Sequence, residues 1–458
     1  MRRMRIGRQG YRSALPALFL LLATGAQARV TEEQAAALGA ELTPFGAEAA
    51  ASEDGAIPAW TGGLAAPPPC FAGPGQRYCD PYPDDAPLFT ISADNLARHA
   101  AYLSEGQRAL LRRFPDSYRM PVYPTRRSFA NPVFVYEASR ANALRAELQG
   151  NGEVLSGAVT GVPFPIPSNG FEVIWNHKVR YRGISVRRWN DQFVVPASGD
   201  YNQTTFREDL HFRYALPGQS PEALDPVLYY ALALVTAPPR LEGSILLLHE
   251  TRDPITAARR IWQHSPGQQR LRRVTVAGFD TPALGADGLR THDQADMFNG
   301  PTERYDLELL GKQLLYVPAN SYRLHSDTLR YADILGKRHL AQEHTRYELR
   351  RVWVVEGQLR PGSAHRYKRR RFYVDEDGWQ IRVVDVFDAR GGLWQLQEAH
   401  SVVAYDHPYE LPVCETVYDL PGNRYLAQAL NNERAETVTW VFDEDHFEPR
   451  RVSRLAKK

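Results

Sequence analysis

The sequence predicts an α+β protein built mainly from antiparallel β-sheet. Three observations lead there. Before Gly183 the apolar residues recur at helical spacing, and beyond it they fall mostly at strand spacing. Strand-like runs in the last third are joined by tight turns, Asp375-Glu376-Asp377-Gly378 and Ala389-Arg390-Gly391-Gly392, the pattern of a meander. No repeat of fixed period is present, which counts against propellers and solenoids.

Residues 1–28 open with Arg2, Arg3, Arg5, Arg8 and Arg12, continue through an apolar run and end on Ala26-Gln27-Ala28. Basic, apolar and small residues in that order predict a signal peptide cleaved after Ala28, and a mature protein free in the periplasm. The apolar run is too short to span a bilayer. Residues 29–87 are rich in Ala, Gly and Pro and predict an extended N-terminal arm lying on the body, with one helix start where Gln34 completes a capping box with Thr31. In an oxidising compartment Cys70 and Cys79 suit a short-loop disulfide, and Cys414 is left as a small buried hydrophobe.

A helical region over 92–114 carries Leu96, Leu103, Leu110 and Leu111 and stops at Pro115; another covers 133–148. The Pro-rich loop 161–167 leads to a helix start at Asn169 and Glu172, and Phe171, Ile174, Trp175 and Val179 then share one side. From Ile184 onward strands predominate, broken near 287–300 and 320–344. One hairpin turns at Pro266-Gly267, and strands follow over 351–356, 371–375, 379–388 and 393–405. Both faces of the strand over 379–388 are partly apolar, so it is expected to be covered on both sides.

With 43% apolar and 24% charged residues the chain can bury a large core. Residues 1–28 hold five of its 55 Lys and Arg and none of its 53 acids, so cleavage leaves 50 bases against 53 acids. A near-neutral chain lacks the positive field that steers proteins onto phosphate backbones, which argues against a nucleic-acid partner. Phosphate-cradling, dinucleotide, nucleophile-elbow and His-Glu-x-x-His motifs are all missing, so no catalytic residue, metal site or cofactor is expected. Asp287, His292, Asp293, Asp296 and Glu303 have oxygens suited to a hard cation, but an acidic loop is the simpler reading. His177 has the chemistry of a general base, with no nucleophile beside it in the sequence.

The remaining feature is a store of aromatics, 8 Trp, 23 Tyr and 18 Phe. Phe171, Ile174, Trp175, Trp262, Trp353, Trp379 and Trp394 are the candidates to line or cover a concave apolar surface for a lipid-like ligand; the alternative is that they are core.

Several stretches resemble a known bacterial family, domain of unknown function 1329, itself similar to the outer-membrane lipoprotein carriers LolA and LolB. They are Ile57-Pro58-Ala59-Trp60-Thr61-Gly62-Gly63, residues 120–127, residues 161–167, Ile174-Trp175-Asn176-His177, Pro266-Gly267 with Arg272-Arg273, Asp296-Met297-Phe298-Asn299-Gly300, and residues 373–377 with Trp379. The resemblance implies that residues 88–458 form a LolA-like incomplete barrel with helical insertions, a curled half-open sheet with helices on its concave side. It also implies handling of a hydrophobic or acylated ligand, together with an inner-membrane exporter of the resistance-nodulation-division (RND) type and an outer-membrane protein. The expected function is therefore a non-enzymatic periplasmic carrier or chaperone for a lipid, lipoprotein or other hydrophobic molecule. Its lid would be the helix near 171–179. The alternatives are an envelope scaffold or adaptor of an RND-type export complex, docking through the loops 120–127 and 161–167, and a lipid- or polymer-modifying enzyme.

Overall fold

The computed structural model describes residues 30–268, 270–274, 279–443 and 445–455; the signal-peptide reading of 1–28 lies outside them. Residues 30–88 carry one short helix, α1 (Glu32–Ala36), closed at its start by the reciprocal Thr31 and Gln34 capping bonds. The rest of this segment follows the surface of the body. Phe45 is fully buried, edge-on to Trp60 and Phe129 at centroid distances of 5.5 and 4.9 Å. Gly46 has φ +97°, and a Cβ there would lie 1.8 Å from the Pro165 carbonyl oxygen, so only glycine lets the two backbones approach this closely. Cys70 and Cys79 are disulfide-bonded with Cα atoms 6.1 Å apart, and Cys414 is free and buried.

The expected helix over 92–114 is corrected to two pieces. α2 (Leu96–His99), flanked by 3-10 turns, ends before Leu103, and α3 (Glu105–Arg113) restarts with Ser104 as N-cap and Gln107 completing the box. α4 (Val133–Arg145) stops three residues short of its expected end, because β3 (Glu147–Gln149) pairs with β4 (Val154–Ser156) in a small hairpin. α5 (Gly170–Val179) starts on Asn169, whose side chain accepts the Glu172 N–H. The last helix, αC, covers Pro449–Leu455.

Sixteen strands form one sheet. β1 (Phe89–Ile91) and β2 (Met120–Val122) stand at one end. A first meander comprises β5 (Ser185–Val195), β6 (Asn202–His211), β7 (Val227–Ala237), β8 (Ile245–Thr251), β9 (Arg260–His264) and β10 (Arg272–Val274). A second comprises β11 (Tyr305–Pro318), β12 (Tyr347–Leu359), β13 (Arg369–Asp375), β14 (Ile381–Phe387), β15 (Leu393–Ala404), β16 (Tyr409–Asp419) and β17 (Arg424–Leu430); β18 (Val438–Thr439) adds to β5. The order is β1-β2-β12-β13-β14-β15-β16-β17-β5-β6-β7-β8-β9-β10, with β11 also paired to β12. The meanders join where β17 pairs with β5, Leu426 opposite Val194. Within this sheet all pairings among the described residues are antiparallel except the single contact of Tyr347 with Val122. Among the described residues the end strands do not pair, so the sheet is open.

The two faces are both covered at its centre, and all seven residues of β14 are buried. On one face α3 packs Leu110 and Leu111 with Val383, Leu396 and Tyr418. On the other, α5 packs Val173 and Ile174 with Val384, Val386 and Phe372. Helices therefore lie on both faces, not on one side only, because both sides of the central strands are apolar. Trp379, expected on a strand, sits in the turn before β14 at φ +56°.

Candidate functional site

β7 shows how the site arises. Its residues alternate between an outer face of large side chains and a cavity face that carries Ala231 and Ala233. Tyr230, Leu232 and Leu234 point outward into a cluster closed by Phe447 and by Val452 of αC. Tyr229, Ala231 and Ala233 point the other way, and the two alanines leave space. The result is a cavity of about 240 Å³, walled by β5 to β9, β16 and β17, with residues 283–299 crossing over it. Strands as far apart as β9 and β16 line one hollow, so the open sheet curls around it.

Part of the cavity wall is apolar. Phe206 and Leu210 of β6, Ala231 and Ala233 of β7, and Leu246 and Leu248 of β8 are each half-buried and face unfilled space. Two other hollows, of about 480 and 470 Å³, lie elsewhere and more open to solvent, around Arg323 and Ser363.

Charged groups stand among the apolar residues of the cavity, Glu208 between Phe206 and Leu210 on β6. Arg188 and Glu208 pair across β5 and β6 at 2.7 Å, and Asn190 donates to the same carboxylate at 2.6 Å. Asp296, in a left-handed backbone at φ +53°, accepts from Arg180 and from Arg182, each at 2.5 Å. Burial opposes its ionisation, but these two guanidiniums outweigh burial and hold the carboxyl well below the usual range. Burial, helped by the Asp296 charge, lifts Glu415 to about 7, against the Gln428 amide that donates to it at 2.5 Å. Burial also pushes His292 down to about 4, with Arg290 and Arg259 adding to the effect, so it is neutral. Arg290 makes no side-chain hydrogen bond or ion pair among the described residues, and its Nε is buried without a partner.

None of the seven sequence candidates lines this cavity. Phe171 and Ile174 pack in the cluster under α5, and Trp175 is buried with its Nε1–H donated to the Gly152 carbonyl at 2.7 Å. Trp262 faces the outer cluster with Leu232 and Phe447. Trp353 stacks on Trp379, whose indole donates to the Phe45 carbonyl at 2.9 Å. Trp394 donates to Asp419 at 3.1 Å. The physical reason is area: a large ring gains most when packed on every side, so aromatics fill closed parts of a fold, while hollows form where residues are small.

The helix near 171–179 is no displaceable lid. Seven of the ten residues of α5 are buried, and a Cβ on Gly170 would lie 2.5 Å from the Leu307 carbonyl oxygen. His177 is fully buried, accepts the Ile381 N–H at 3.2 Å and meets the Asp296 carbonyl at 2.8 Å. Burial and Arg180 push it down to about 3, so it is a structural group and not a base. Three of the four acids grouped as a possible cation site are separately engaged: Asp293 with Arg370 and His365, Asp296 with Arg180 and Arg182, Asp287 with Arg424. Among the described residues no cluster of three His, Cys, Asp or Glu is arranged to hold a metal.

What covers the cavity is the segment 283–299, pinned by Gln294, whose amide donates to Gln395 at 3.1 Å and Gln397 at 2.8 Å. Its last residues, with Gly300 after them, form Asp296-Met297-Phe298-Asn299-Gly300, one of the stretches that carried the family resemblance. The chain belongs to the DUF1329 family. That family, described as a protein of unknown function, matches residues 90–453. An uncharacterized protein of Pseudomonas aeruginosa is 44% identical over 422 residues, covering 92% of each chain. Among solved structures, a putative outer membrane lipoprotein-sorting protein domain from Vibrio parahaemolyticus is similar with TM-score 0.42 and 12% identity, over 62% of this chain and 97% of that one. A DUF1329 family protein from Desulfovibrio piger gives TM-score 0.42 and 12% identity, over 61% and 95%. A LolA superfamily protein from Nitrosomonas europaea gives 0.37 and 9%, over 61% and 98%.

The sequence reading missed Arg188, Glu208, Ala231, Ala233 and Arg290. Ala231 and Ala233 on one face of β7 were the available signal for the hollow.

Proposed function

We propose that this DUF1329 protein is a non-enzymatic carrier that shelters the apolar part of a small hydrophobic or amphiphilic molecule in the cavity under 283–299. The observation that carries this reading is the half-buried apolar wall of Phe206, Leu210, Ala231, Ala233, Leu246 and Leu248, which the protein's own side chains leave unfilled. Covering each 100 Å² of such wall favours binding by about 2.5 kcal/mol. The volume of about 240 Å³ falls just under the usual range of roughly 300–1,000 Å³ for ligand pockets, which suits part of a single-chain molecule better than a multiply acylated anchor. The carrier works in the periplasm, between an RND-type exporter of the inner membrane and an outer-membrane acceptor; transfer follows the difference in affinity between donor and acceptor grooves.

The adaptor reading lacks its docking loops, since most residues of 120–127 and 161–167 are buried. The test is uptake of a fluorescent acyl probe by the purified protein, with mass spectrometry of extracts from protein isolated from its native compartment. Saturable uptake and a co-purified hydrophobe are expected; absence of both overturns the reading.

A further inference from the structure

We infer that the cavity selects an amphiphile with a single apolar tail and an anionic oxygen head, and that Arg290 is the residue that receives the head. This rests on the carrier reading and adds the ligand's chemical class to it.

The inference follows from the pairing of charges at the cavity. Arg188 is matched by Glu208 and Arg259 by Glu250. Glu410, at the same end, is matched by Arg382 at 2.5 Å. Arg180 and Arg182 share the single carboxylate of Asp296, which leaves one positive charge uncompensated. Arg290 feels the charges of Glu415, Glu208 and Asp293, yet its side chain has no ion pair or hydrogen bond among the described residues and its Nε is buried and unsatisfied. Glu415 is the remaining carboxyl of the lining; it is engaged by the Gln428 amide and forms no ion pair within 4.0 Å among the described residues. Over the lining itself four arginines face four carboxyls, so what sets Arg290 apart is not net charge but guanidinium donors that no acceptor meets among the described residues.

A partly desolvated guanidinium without an acceptor is costly, and an arriving oxyanion removes that cost by accepting two parallel N–H bonds. Beside these charges stand Ala231, Ala233, Leu246 and Leu248, which accept the tail; Ala233 is the cross-strand neighbour of Glu208. A neutral apolar ligand would leave Arg290 unpaired, and a cationic head would meet like charge. A carboxylate and a phosphate monoester share the required chemistry.

The experiment is displacement of the neutral dye N-phenyl-1-naphthylamine from the full protein by four ligands of one tail length: dodecanoate, dodecyl phosphate, dodecanol and dodecyltrimethylammonium. Wild type is expected to bind one or both anions at least about tenfold more tightly than dodecanol, as a charge-assisted hydrogen-bond pair predicts. The tighter of the two anions identifies the head as carboxylate or phosphate. Arg290→Gln should erase the preference, read as the ratio of anion to dodecanol affinity within that variant, since the charged contact is removed. Arg290→Lys should keep part of the preference, because the charge remains and the paired geometry is lost. Dye and dodecanol binding without preference for an anion, or a preference that survives Arg290→Gln, overturns the inference and leaves the carrier reading standing. Failure of the dye and all four ligands to bind overturns both.

Discussion

Asp385 caps α3 from across the sheet through Gly106. Its Oδ1 accepts the Gly106 N–H at 2.9 Å and the Ser104 hydroxyl at 2.9 Å, and its Oδ2 accepts the Glu105 N–H at 2.9 Å. Three donors at a helix start, which have no intrahelical partner, are thus satisfied by a residue of β14. The approach is tight enough that a Cβ on Gly106 would lie 2.6 Å from Asp385 Oδ1 and 2.7 Å from a Leu396 methyl carbon. Gly106→Ala should therefore destabilise the protein by about 1–3 kcal/mol through overpacking, despite the better helix propensity of alanine. A lowered urea midpoint at unchanged slope is the expected readout.

The neighbouring Glu398 makes stability depend on pH. Its carboxyl, fully buried, accepts from Gln107 at 3.1 Å, Tyr347 at 3.1 Å and Tyr118 at 3.4 Å. Burial raises it from 4.5 to about 7, more than the hydrogen bonds lower it, and Asp385 adds to the rise. The folded state thus holds a proton that the unfolded chain gives up between these values. The stability tied to that proton is present in full below about pH 4.5 and is lost as pH rises through 7. Glu398→Gln should flatten the fall between pH 5 and 8 by up to about 3 kcal/mol relative to wild type. Urea unfolding of both proteins at several pH values measures it, and parallel pH profiles would refute it.

Two of the stretches that carried the family resemblance meet in a buried ion network. Arg127 holds Asp377 at 2.6 and 3.1 Å, and Arg350 adds a third bond to the same carboxylate at 3.0 Å. Arg127→Met leaves part of the Asp377 charge uncompensated and should cost about 3–5 kcal/mol. Adding Asp377→Leu should cost less than the sum of the two single changes, because the stranded charge is gone. Thermal unfolding of the two single variants and the double variant checks this.

Local structure was legible because local patterns determine it. Trp379 excepted, the later strands and their turns follow from alternation and Gly or Asp turns, and the start of α5 follows from Asn169. The break at Ser104 was also written in the chain, as Ser104 and Gln107, but leucine spacing continues across it and suggested one helix. The site was harder to see. It depends on β17 pairing with β5, which brings Glu415 and Gln428 beside Arg188 from the far end of the chain. It also depends on absence of bulk at Ala231 and Ala233, whereas the search followed bulk to Trp175 and Trp379, both 1% exposed and part of the core.

Those two alanines separate a ligand site from imperfect packing. Ala233 stands opposite Glu208 of β6 on one side and Leu246 of β8 on the other, where charged and apolar residues of the cavity meet. A hollow kept open for a ligand is expected to cost stability, since its lining atoms lack partners. Ala233→Leu places three more carbons in that space without displacing a hydrogen bond. It should raise stability by about 1–2 kcal/mol while weakening acyl-probe uptake at least about tenfold. Measuring melting temperature and probe affinity on the same sample tests both halves together. A variant that is less stable and still binds the probe would show that this part of the wall is already packed and that the ligand sits elsewhere. A variant that gains stability and loses uptake would show that the sequence holds an alanine where a leucine packs better, as selection for binding predicts.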